Sequence, residues 1–148
     1  MRTFLALLAG IFFFFVVVES ANALEGCPVS DKEFLHQITS SSDWMDVHAV
    51  FKSNFPSCSD DGLYADGYTN LVVGVLAARW SEIGTLDELM ARDDAFKQFV
   101  FKHIGISAGE DDLRRVLHSA QANCPKKSTR LCKEIAMRCK RALADRKN

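Results

Sequence analysis

From Leu71 to Ala78 nearly every residue is apolar: Leu71-Val72-Val73-Gly74-Val75-Leu76-Ala77-Ala78. A helix that is apolar on all sides has to lie at the centre of its domain, since none of its faces can be left in water. The run is β-branched and short enough to suit a strand as well. The spacing of Tyr64, Tyr68, Leu71, Val72, Val75 and Leu76 extends a helical pattern on both sides, so the segment predicts a helix from about Leu63 to Trp80. Gly67 and Gly74 are seven apart and share a face of it. Each costs about 1 kcal/mol in a helix interior relative to Ala. Close approach of another helix is the compensation expected at both positions.

Helix signals surround this segment. Ser30-Asp31-Lys32-Glu33, Thr85-Leu86-Asp87-Glu88 and Ser107-Ala108-Gly109-Glu110 each have the form of a capping box. The first opens a helix carrying Phe34, Leu35 and Ile38. A second helix starts near Asp43, carries Trp44, Val47, Val50 and Phe51, and ends before Pro56. Ser59-Asp60-Asp61-Gly62 is the loop into the central helix. A short helix through Met90 follows Thr85. Another starts at Asp93 or Asp94, turns Phe96, Phe99, Val100 and Ile104 inward, and is closed by Gly105. Leu113, Val116, Leu117 and Ala120 mark the next. The last runs from about Thr129 to Leu143, with a frayed tail over 144–148. No alternating pattern is long enough to argue for a sheet. The fold predicted is all-α: one compact bundle of about six or seven helices around a central apolar helix.

The first 23 residues stand apart. A positive start, Met1-Arg2-Thr3, leads into an apolar run from Phe4 to Val18 and then into Ala21-Asn22-Ala23. That is the layout of a signal peptide with a small-residue cleavage site. The run is shorter than the ~20 residues that span a bilayer. The expectation is therefore an exported chain, periplasmic or secreted, whose mature domain is 24–148. An alternative is a lipoprotein with Cys27 as the lipidated residue.

Cys27, Cys58, Cys124, Cys132 and Cys139 all fall after the leader. An oxidising compartment permits disulfides, and an odd number leaves at least one thiol over. Cys132 and Cys139, seven apart on one helix, would be separated by about 10 Å of rise, beyond the ~7 Å that a disulfide tolerates. Cys27–Cys58 would close a two-helix hairpin, and Cys124–Cys132 would lock the turn before the last helix. Sequence does not fix this connectivity. Cys139, on a face with Leu131, Ile135 and Ala142, would then be a buried thiol or a bridge to a second copy.

Charge is divided unevenly. Residues 126–148 hold nine Lys/Arg and two Asp/Glu, whereas 24–125 hold eight and sixteen. An acidic body thus precedes a basic C-terminal helix. The basic helix could dock on the body or form a contact surface for a partner. Nucleic acid does not fit an exported chain with an acidic body. Asp60, Asp61, Asp93, Asp94, Glu110 and Asp111 gather at helix starts. Carboxylates there favour the helix dipole and cap free N–H groups; they are also the candidate partner-binding residues.

Sequence motifs that name a reaction are missing. There is no Gly-rich phosphate loop, Gly-x-Ser-x-Gly or His-Glu-x-x-His. His36, His48, His103 and His118 are too far apart in sequence to form a local metal pair. No catalytic residue, metal or cofactor is assigned. An enzyme would need a site assembled from distant residues, such as His48 or His103 with an Asp. A carrier of a small apolar ligand would need a pocket lined by Trp44, Tyr64, Phe96 and Phe99.

Cys58, followed by Gly62-Leu63-Tyr64-Ala65-Asp66-Gly67-Tyr68, a long apolar helix and a later helix ending at Cys124, resembles the layout of periplasmic immunity proteins. These neutralise peptidoglycan-cleaving amidase effectors of type VI secretion. The resemblance covers about half of the mature chain and implies an exported helical protein that plugs the cleft of a toxin or hydrolase. The segment after Lys126, with Cys132 and Cys139, departs from that layout. Secreted helical odorant carriers are a second resemblance. Their second and third cysteines lie close together, and nothing near Cys58 supplies such a neighbour.

Overall fold

The central helix is where the apolar run places it. In the computed structural model, which describes residues 26–147, it spans Gly62–Ala78 and is designated α3. Before it come α1 (Asp31–Ser40) and α2 (Trp44–Asn54). After it come α4 (Ile83–Arg92), α5 (Asp94–Lys102), α6 (Glu110–Ala122) and α7 (Thr129–Asp145). The described residues contain seven α-helices and no strand. The leader 1–23 lies outside the described residues. No described helix is long and apolar enough to cross a membrane.

α3 packs against α1, α2 and α6, and α7 lies along α6. Leu71, Val72, Val73, Val75 and Leu76 are buried, as an all-round apolar helix requires. Gly62 enters α3 at φ +46°, a conformation that side-chain-bearing residues rarely hold. A second core layer is aromatic: Phe51, Phe96, Phe99 and Tyr68 meet at centroid distances of 5.1–6.1 Å, the range of favourable ring pairs.

The two glycines of α3 do different things. A Cβ on Gly67 would stand 2.5 Å from Phe34 Cε1, so α1 crosses α3 at that position. At Gly74 a Cβ would meet nothing within 4 Å. The expectation of close approach therefore fails at Gly74, because α1 ends at Ser40 before reaching it. A shallow apolar groove lined by Ile38, Leu71, Gly74 and Val75 is left instead.

Caps sort the helix starts. Ser30 Oγ accepts from the Glu33 N–H, Asp43 from Met45 and Asp46, and Asp93 from Phe96. The boxes read at Thr85 and Ser107 are not formed. A cap residue needs extended backbone. The short 3-10 turn Trp80–Glu82 runs straight into α4, so Thr85 is already inside the helix. α6 starts at Glu110 with Gly109 as its cap, and Gly has no side chain to accept a bond. The 3-10 turn also takes Trp80 out of α3, and its Nε1 donates to the Asn123 carbonyl at 3.0 Å. α5 closes at His103 rather than at Gly105. α7 continues to Asp145, two residues past the expected Leu143.

Both expected disulfides are present, Cys27–Cys58 and Cys124–Cys132. With its sulfur in that bond, Cys27 is not available for lipidation. Cys139 is a free thiol that is 0% exposed. Burial pushes its pKa up to about 12, which keeps it protonated and inert. Cys139 therefore takes the first of its two expected placements, a buried thiol on the inner face of α7.

Candidate functional site

Two imidazole–carboxylate pairs assemble from residues far apart in sequence. In the first, the loop after Cys58 carries Asp60 to the C-terminal end of α5. Asp60 Oδ1 stands 3.4 Å from His103 Nε2, and Asp60 Oδ2 is in ion contact with the Lys102 ammonium. On the other side of the ring, the Thr69 hydroxyl is 3.4 Å from His103 Nδ1. A neutral imidazole with its proton on Nε2 suits both neighbours: Thr69 donates to Nδ1, and Nε2–H faces the carboxylate. Burial pushes His103 down to about 4, against the pull of Asp60 and with a further push from Lys102.

Thr69, His103 and Asp60 have the connectivity of a nucleophile–base–orienter relay. Access is what distinguishes this one. Thr69 is 5% exposed and His103 2%, and the rings of Phe55, Tyr68 and Phe99 surround the imidazole. His103 Nε2, both carboxylate oxygens of Asp60 and the Tyr68 hydroxyl are buried without an aligned hydrogen bond, so Asp60 meets His103 and Lys102 as close charge contacts. Burial and the nearby Asp60 raise Tyr68 to about 12, which keeps the phenol neutral.

The second pair is more open. His48 Nε2 lies 3.2 Å from Asp93 Oδ2, and Lys52 Nζ lies 3.6 Å from the same oxygen. Asp93 Oδ1 meanwhile caps α5 through the Phe96 N–H at 3.0 Å. That backbone bond is the main reason its pKa is lowered, and His48 and Lys52 add to it. The imidazole packs edge-on against Phe96 at 4.7 Å. His36 and His118 are exposed, as surface residues would be.

The six carboxylates singled out as partner-binding are not gathered into one patch by any contact among the described residues. Asp60 and Asp93 are engaged by the two imidazoles. Asp61 is the cap of α3 and accepts from the Ser59 hydroxyl at 2.9 Å. Asp94 pairs with Lys97, and Glu110 with Arg114. Asp111 is exposed in the first turn of α6. Trp44, Phe96 and Phe99, named for an apolar pocket, are fully buried and fill the core, while Tyr64 leans on Phe34 and donates to Asp31 at 2.7 Å.

α7 is different. Its inner face buries Leu131, Cys132, Ile135, Cys139 and Ala142. Arg138 bonds Glu134 and the Phe101 carbonyl, and Arg146 the Ala108 carbonyl. Lys126, Lys127, Arg130, Lys133, Lys140 and Arg141 are exposed and form no ion pair among the described residues. Two clefts flank the helix. One, about 320 Å³ between α4, α5 and α7, mixes Asp87 and Glu134 with Lys97 and Arg130. The other, about 550 Å³ between α6 and α7, has a largely apolar lining with lysines along it. Among the described residues no cluster of His, Cys, Asp and Glu is arranged to hold a metal.

Family models, curated proteins and solved structures all lack a match to this chain. Sequence reasoning named His48 or His103 with an Asp, and the structure supplies Asp93 and Asp60; the Thr69 contact and the α6–α7 groove are what it missed. One signal for His103 was present. It continues the Phe96–Phe99 stripe at helical spacing, which places it on the buried face of α5. Nothing local points from there to Asp60, 43 residues earlier.

Proposed function

We propose that this chain is an exported, disulfide-stapled helical binding protein. In its most concrete form it is an immunity or inhibitor protein that blocks a periplasmic hydrolase by protein–protein contact. The observation that carries this reading is the enclosure of the fold's own relay. Thr69 and His103 lie beneath packed aromatic rings, out of reach of a substrate in solution. Thr69 and His103 therefore support the fold, which favours recognition through the outer surface. Two further features support it. Disulfides near each end of the domain suit an oxidising compartment and hold a surface rigid. The layout around Cys58–Tyr68 resembles that of amidase-neutralising immunity proteins.

Co-expression tests the reading. A hydrolase encoded beside this gene, directed to the periplasm, should lyse cells by itself and be silenced when this protein is exported with it. The purified pair should also elute as one complex. Undiminished lysis in the presence of the exported, oxidised protein would contradict the proposal.

A further inference from the structure

We propose that the groove between α6 and α7 is the partner-binding surface, and that it receives a protruding acidic segment of a protein partner with one apolar side chain at its tip. This rests on reading the chain as a protein-binding protein.

The chemistry of the groove leads to that occupant. Its lining is largely apolar, with Ala120, Ala136 and the Cys124–Cys132 disulfide most buried, Gln121 and Thr129 beside them, and Met137, Lys133 and Lys140 exposed along it. Met137 is 46% exposed at helical spacing between the two lysines. Methionine is flexible and polarisable, and adapts to apolar groups of varied shape. The lysines have no ion-pair partner among the described residues. Lys126 and Lys127, just before α7, and Arg141 add to the same excess. The acidic first turn of α6 lies beside the far end of α7, where Arg146 and Lys147 bear on Glu110, but Glu110 pairs with Arg114 and no α6 carboxylate forms an ion pair with Lys133 or Lys140 among the described residues.

Charge and shape separate this occupant from two others. A two-fold contact between copies across α7 would set these cations against themselves. A head-to-tail contact would need an acidic patch, and the candidate carboxylates are dispersed over three helix starts or already paired. A lipid surface would satisfy the lysines but could not fill a recessed floor between two helices. A protruding segment does both. The flanking cleft with Asp87 and Glu134 carries both signs of charge and selects neither.

Binding of a fluorescent peptide rich in Glu around one central Leu tests this, measured by anisotropy with the oxidised protein. The hydrolase of the co-expression assay is titrated in parallel. Both should bind the wild type, and a Lys-rich peptide should not. K133E/K140E should weaken both by about tenfold or more, as expected when two rim charges oppose the ligand. The distant reversal K32E on α1 should leave them unchanged. All three positions are exposed, and a thermal melt confirms that each variant is folded. Equal binding by K133E/K140E, or no preference for the acidic peptide, would overturn the groove. So would adsorption to phosphatidylglycerol vesicles without peptide binding, or sedimentation as a dimer that the reversal dissolves. If the hydrolase binds K133E/K140E as tightly as wild type, the groove falls and the inhibitor reading stands. If wild type binds the peptide but no hydrolase, the inhibitor reading falls and the groove stands.

Discussion

At the entry to α3, Asp60 is enclosed by Lys102 and His103, and at the start of α5 Asp93 caps its helix while holding His48. Along α7, Lys133, Lys140 and Arg141 stand in solvent with no carboxylate opposite them. Both regions are charged, and both carry a disulfide: Cys58 lies two residues before Asp60, and Cys124–Cys132 floors the α6–α7 groove. The difference lies in what the charges face. Carboxylates of the body meet N–H groups, imidazoles and ammonium groups of their own chain, where their removal leaves buried groups unpaired. The outward cations Lys133, Lys140 and Arg141 meet water, where their removal leaves the fold as it was, unlike Arg138 and Arg146, which bond backbone carbonyls of the body. Net charge hides this division, because acidic body and basic helix nearly cancel at −1.

Removing a staple should have the largest effect. C27S/C58S opens a loop with a sequence separation of 31. Loop entropy alone then costs about 4 kcal/mol, against about 2.5 kcal/mol for C124S/C132S. Denaturant unfolding of the two variants checks the order. The first should loosen the Asp60 region, and the second should leave it intact while weakening the groove.

Acid comes next. His103 is held neutral down to about 4, whereas in the unfolded chain it takes up a proton near its ordinary value of 6.5. Stability is therefore fully present above about pH 6.5 and falls as pH drops towards 4. Urea melts across that window should show the slope, and H103Q should flatten it. A slope that H103Q leaves unaltered would place the acid sensitivity elsewhere.

Gly67 and Gly74 give a smaller, internal comparison. G67A forces a methyl into Phe34 and should cost about 2 kcal/mol. G74A meets open space and should stabilise by about 1 kcal/mol through helix propensity. Melting temperatures that move in the same direction would contradict the placement of α1 over α3.

Sequence carried much of this fold and little of the site. The apolar run located α3, and Ser30, Asp43 and Asp93 announced three helix starts because capping is chemistry within a few residues. The same local reasoning failed at Thr85 and Ser107, where the preceding turn decides whether the backbone can be extended. It failed at Gly74 as well, since the length of α1 determines what covers α3. Spacing excluded only Cys132–Cys139 and left the other pairings open, with Cys124–Cys132 among those expected, and the charge split singled out α7. The meeting of Asp60 with His103 and Thr69 depends on how α3, α5 and a loop converge, which no short window contains. Of the acidic helix starts, Asp60 and Asp93 are drawn into contacts with the two imidazoles, while Asp61, Asp94, Glu110 and Asp111 stay on the surface.

Asp60 and Asp93 hold the fold, and the outward α7 lysines Lys133 and Lys140 do not. Thermal unfolding of two matched neutralised variants tests it directly. D60N/D93N should lose about 3 kcal/mol from a cap and two buried or half-buried pairs, a fall of roughly 10 °C in Tm. K133Q/K140Q should melt within about 2 °C of wild type. A body variant as stable as wild type, or an α7 variant that melts as early as D60N/D93N was expected to, would contradict it.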